Sequence, residues 1–101
     1  MPFRHVVMFE FADHVDDDYA KRVRAGLSAL PAQIEEIRSY VHGTDVGISE
    51  GNWDYALVAD FDSVQAFITY RDHPAHVLFL EEVIKGNLKG RAAVQYQYGA
   101  H

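Results

Sequence analysis

Cysteine is absent from this 101-residue chain, which excludes disulfides, thiol nucleophiles and any zinc site built on thiolates. Basic residues are few: nine Lys and Arg against fifteen Asp and Glu leave a net charge of −6. Recognition of a nucleic-acid backbone needs a basic stripe, and this balance argues against one. The only basic cluster, Lys21, Arg22 and Arg24, follows Asp16, Asp17 and Asp18 and reads as a helix with an acidic start. No stretch approaches the roughly 20 apolar residues of a membrane span. A secretory leader is not visible at the N-terminus, so a cytoplasmic location is the expectation. Gly-rich phosphate loops, a serine–histidine–acid arrangement, internal repeats and low-complexity tracts are also missing.

What remains is a globular composition, 49% apolar and 24% charged, of a length that suits one domain over residues 1–101. Residues 3–11 read as a first strand, with Phe3, His5, Val7, Phe9 and Phe11 on one face and Arg4, Val6, Met8 and Glu10 on the other. Tyr19, Val23, Leu27 and Leu30 recur at helical spacing behind the three aspartates, which favour the positive helix end. Gly26 opposes that helix by about 1 kcal/mol relative to alanine, and Pro31 ends it. A second strand is expected near 38–46 and a third over 53–61, with glycines at 43, 47 and 51 marking the loop.

A helix then starts at Asp62 or Ser63, where Asp62 and Gln65 have capping-box spacing. Pro74 interrupts it, because an interior proline lacks a donor and clashes with the preceding turn. Proline suits a first helical turn, so a break is expected at Asp72–His73 and a new helix from about Pro74 to Lys85, ended by Gly86 and Asn87. Residues 91–98 form the last strand. The order strand, helix, strand, strand, helix, strand is the ferredoxin-like α+β arrangement. Two helices cover one face of such a sheet, yet the first and third strands are apolar on both. The second face therefore calls for the same face of another copy, which predicts a homodimer.

Six histidines carry most of the candidate chemistry. His101 and His14 read as solvated, and His42 sits beside Gly43 at a strand end. His76 shares a helical face with Leu80 and Val83, pointing inward. Tyr70 lies one turn before the break, and His5 lies among bulky apolar neighbours, where a polar group needs a partner or a wet site. Each of these three is individually consistent with a structural role. Together they could converge on a small apolar pocket, with histidine as a base titrating near neutrality and tyrosine as a donor to an oxyanion or enolate. Two competing readings are weaker. His73 and His76 have metal-ligand spacing with Asp72 as a third ligand, but His73 precedes Pro74 and fits better as a helix cap. Pro2 could become the N-terminal base of a small tautomerase, but the layout that follows does not match that group.

The run Asp54-Tyr-Ala-Leu-Val-Ala-Asp-Phe-Asp-Ser63, then Tyr70 and His73-Pro-Ala-His76, resembles the stress-responsive A/B-barrel (Dabb) family, as do residues 4–11 and 30–37. The resemblance spans nearly the whole chain. It implies a ferredoxin-like protomer that pairs through its sheet into a dimeric α+β barrel. Around His-Pro-Ala-His the chain is similar to the olivetolic acid cyclase-like members, which close a linear polyketide by aldol chemistry without a cofactor. That similarity implies catalytic roles for His76, Tyr70 and His5; a further histidine of those members falls here at about Tyr55. The leading expectation is a cofactor-independent acid/base enzyme acting on a small apolar carbonyl compound. Tyr55, Leu27 and Leu80 are expected to line its pocket, and no metal is expected. The alternatives are a non-catalytic stress or ligand-binding protein and a cofactor-free monooxygenase.

Overall fold

The computed structural model describes residues 1–99, so His101, read above as solvated, lies outside the described residues. Its elements are β1 (Phe3–Phe11), α1 (Tyr19–Ala29), β2 (Ser39–Thr44), β3 (Tyr55–Phe61), α2 (Val64–Asp72), α3 (Pro74–Phe79) and β4 (Leu88–Gln97). The four strands form one antiparallel sheet in the order β2-β3-β1-β4, the ferredoxin-like order predicted from the element sequence. Strands β2 and β3 begin later than the patterning suggested, whereas β4 begins earlier, at Leu88.

Alternation sorts the sheet into two unlike faces. The inner face presents Phe3, Val7, Phe9, Tyr55, Leu57, Ala59 and Phe61, all buried against Tyr19, Val23 and Leu27 of α1, Phe67 and Tyr70 of α2, and Phe79 of α3. Each large apolar side chain so buried contributes about 1.5–3 kcal/mol. On the outer face the register aligns Val41, Val58, Val6 and Val94 in one row across all four strands. The end members of that row, Val41 and Val94, are 65% and 66% exposed, so this apolar face is uncovered in the single chain. Among the described residues, no helix is long and apolar enough to cross a membrane.

The helix boundaries follow from local chemistry. Ser63, not an Asp62–Gln65 box, caps α2: its hydroxyl accepts from the Ala66 amide at 3.1 Å. Beyond α3 the chain does not continue as a regular α-helix to Lys85. Leu80–Ile84 form a π-helical turn closed by the Lys85 amide on the Leu80 carbonyl at 2.8 Å. The Val83 carbonyl in that turn accepts from the Tyr19 hydroxyl at 2.7 Å and from Asn87 Nδ2 at 3.0 Å. Gly86, at φ +80°, then turns the chain into β4. Gly26, unfavourable for α1 by propensity, is explained by packing: the Phe79 ring lies where a Cβ at that position would be.

Candidate functional site

The site begins with Pro74. Having no amide hydrogen, it cannot satisfy the Tyr70 carbonyl, and the His73 amide does so instead at 3.2 Å. His73 is the N-cap of α3, as expected, and its Nδ1 accepts from the Ala75 amide at 3.0 Å. The Ala75 amide would otherwise bond to the carbonyl of Arg71, four residues back, as in a continuous helix. That carbonyl is left to accept from His76 Nδ1–H at 2.9 Å. The helix break thus creates the acceptor that sets the His76 tautomer: Nδ1 carries the proton and Nε2 is the basic nitrogen.

His76 lies against the face of Tyr70, with ring centroids 4.4 Å apart. Tyr70 is 1% exposed and packs on Phe61, while its hydroxyl meets that of Tyr40 at 2.6 Å. Tyr40 belongs to the cross-strand row Tyr40–Ala59–His5. Burial raises both phenols, Tyr70 to about 12, so both are neutral at physiological pH. His5, 5% exposed, accepts at Nδ1 from Gln95 Nε2 at 3.0 Å, which places its own proton on Nε2. Its Nε2 has no protein partner among the described residues, yet none of the buried side-chain polar atoms there is unsatisfied. The Nε2–H is therefore accessible to solvent.

Burial, reinforced by the charge of Arg91 and then of His76, pushes His5 down to about 4. Burial also lowers His76, although the Arg71 carbonyl opposes the shift. Both imidazoles are consequently neutral near pH 7, with opposite tautomers.

These groups border a cavity of about 480 Å³ between the helices and the inner face of β1 and β4. His5, Tyr70 and His76 all line it, together with Leu27 and Leu80, so five of the six expected site residues come together. Tyr55 does not. It lies on the interior strand β3, where its ring packs on Phe11 of β1 and its hydroxyl bonds to His42 Nδ1 of β2 at 2.6 Å. Leu57, the next inward-facing residue along β3, lines the cavity in its place. His42 lies within β2, not at a loose strand end, and its Nε2 is 3.3 Å from Ser28 Oγ.

Sequence patterning left Tyr40, Gln95 and Arg91 unassigned. Polar residues at positions 91 and 95 share one face of β4, so the alternation carried a signal. Which strand they would face depended on pairing.

The family model of the stress-responsive A/B barrel domain matches residues 3–98. A stress-response A/B barrel domain-containing protein of Arabidopsis thaliana is 29% identical over 98 residues, covering 95% of this chain and 89% of its own. A dimeric ferredoxin-like protein from Thermobifida fusca has a crystal structure with a TM-score of 0.90 and 41% identity, covering 97% of this chain and 92% of its own. The hydroxynitrile lyase of Passiflora edulis shares the fold, with a TM-score of 0.85 at 18% identity over 99% of this chain and 95% of its own.

Proposed function

This chain belongs to the stress-responsive A/B barrel domain family, and on that premise we propose that it is a cofactor-independent acid/base enzyme acting on a small, largely apolar carbonyl compound. The observation that carries this reading is the pairing of two neutral imidazoles of opposite tautomer on one apolar cavity, a base at His76 Nε2 and a donor at His5 Nε2–H. His76 Nε2 takes a proton from the carbon next to the carbonyl. The electrons of that C–H bond move onto the carbonyl oxygen, and the enolate so formed accepts a hydrogen bond from His5 Nε2–H. With Tyr40 as donor to the Tyr70 oxygen, Tyr70 retains its own proton to offer the same oxygen. Return of the proton from His76 to carbon, or addition of the enolate carbon to a second carbonyl within the substrate with that proton passing from His76 to the alkoxide oxygen so formed, completes the cycle without an external electron acceptor. Low-dielectric surroundings strengthen each of these hydrogen bonds.

The same reading includes a homodimer formed through the uncovered valine face, in keeping with the dimeric state of the Thermobifida fusca relative.

Hydrogen–deuterium exchange at the carbons flanking the carbonyl of 2-octanone, followed by NMR in deuterated buffer, tests the chemistry. The protein is expected to accelerate exchange over buffer, and His76→Gln to lower that acceleration by about 100-fold or more. No acceleration with 2-octanone, octanal or 2,4-octanedione would sink the enzymatic reading. Ligand binding that survives His76→Gln would then favour a binding protein using the same cavity.

A further inference from the structure

The cavity is charged opposite to the protein around it. The chain carries −6 overall, yet the charged residues lining the cavity are Arg71, Lys85 and Arg91 against Glu81 alone. Two of these cations are already neutralised. Arg71 makes two hydrogen bonds to Asp72, at 2.8 and 3.1 Å, and Lys85 lies 3.3 Å from Glu81. Arg91 has no ion-pair partner among the described residues, where seven such bridges occur.

Its position is set by the sheet. Arg91 sits opposite Phe9 on the inner face, and Gln95, the partner of His5, sits four residues further along the same strand. That separation is about 13 Å of strand, at roughly 3.3 Å per residue. The Arg91 side chain shortens the gap, because it lines the same cavity as His5, Tyr70 and His76. The mostly apolar residues Val7, Leu57 and Phe79 line the cavity with them.

From this we infer that Arg91 binds a carboxylate on the ligand, making the substrate a medium-chain oxo acid whose carbonyl reaches His5 and His76 while its acid end pairs with the guanidinium. A guanidinium offers a carboxylate two parallel hydrogen bonds, which a cavity of neutral groups cannot match. The inference rests on the cavity being the ligand site proposed above, but it requires no turnover.

NMR shift titrations of the full-length protein with heptanoate and with 1-heptanol, two probes of equal chain length, separate charge recognition from apolar binding. Wild type is expected to bind heptanoate about tenfold or more tightly than heptanol. Arg91→Gln is expected to remove that preference, weakening heptanoate about tenfold while leaving heptanol within about twofold. Arg91 is exposed, and retained heptanol binding reports an intact cavity in the variant. Lys85→Gln is expected to preserve the preference. A wild type that binds heptanoate no better than heptanol, or binds neither, overturns the assignment. So does a preference that survives Arg91→Gln or is lost in Lys85→Gln. Because binding is read without proton transfer, inactivity toward all of 2-octanone, octanal and 2,4-octanedione with retained heptanoate selectivity would reject only the enzymatic reading.

Discussion

Two histidine–tyrosine pairs stand on the inner side of this sheet, and they are built for opposite ends. His42 bonds to the Tyr55 hydroxyl through Nδ1 and approaches Ser28 through Nε2, so both ring nitrogens are engaged. His76 meets Tyr70 ring to ring, gives Nδ1–H to a backbone carbonyl and leaves Nε2 without a protein partner among the described residues. The same residue types therefore yield a closed hydrogen-bonded strut between β2 and β3 and a basic nitrogen beside the cavity. Residue identity does not distinguish them; hydrogen-bond saturation and the neighbouring cavity do.

Substitution at the two histidines is the strongest way to break this contrast. His76→Gln should lower α-proton exchange by about 100-fold or more, while His42→Gln should leave it within about twofold and be felt mainly as lost stability. Equal losses of exchange in the two variants, with both shown to be folded, would remove the distinction.

Acid provides the next largest effect. His5 has a folded pKa of about 4 against an ordinary 6.5, so between those values the unfolded chain binds the proton and the folded chain does not. Stability should therefore fall as pH drops from about 6.5 to 4, by up to about 3 kcal/mol from this group, and level off below. The lowered pKa values of His76 and His42 act in the same direction. Urea denaturation across that window should show a shallower decline in His5→Gln than in wild type. An unchanged slope would show that His5 is not held neutral by its surroundings.

The smallest effect separates the two tyrosine hydroxyl contacts. Tyr40→Phe removes the partner of the Tyr70 hydroxyl and should cost about 1 kcal/mol of stability. It should also lower kcat for exchange several-fold with little change in KM, since Tyr70 still lines the cavity. Tyr55→Phe should cost similar stability without altering kcat. A kcat loss in Tyr55→Phe equal to that in Tyr40→Phe would argue that both contacts serve only packing.

Much of this was legible in residue order because it depends on local rules. Pro74 had to interrupt a helix, and His73 before it was suited to cap the next one. Alternation in β1 placed His5 inward among aromatics. The outcome for Tyr55 could not be read the same way. It is an inward-facing residue, as expected, but whether such a residue borders the cavity depends on how far along the sheet the helices part. Arg91 and Gln95 were hidden for a related reason. Their inward direction follows from strand period, but their approach to His5 and His76 requires the β1–β4 register, which sets Arg91 opposite Phe9 and Gln95 opposite His5.

The sequence by itself determined the order of elements, the break at Pro74 and the two-faced sheet, since dihedral limits and hydrophobic periodicity act over neighbouring residues. Only the tertiary structure decided which histidine keeps a basic nitrogen. The carbonyl at Arg71 that orients His76 is only five residues away, but the glutamine that orients His5 lies ninety residues off along the chain, and the cavity belongs to no single element. Such couplings link residues far apart in sequence, where local periodicity carries no information about distance.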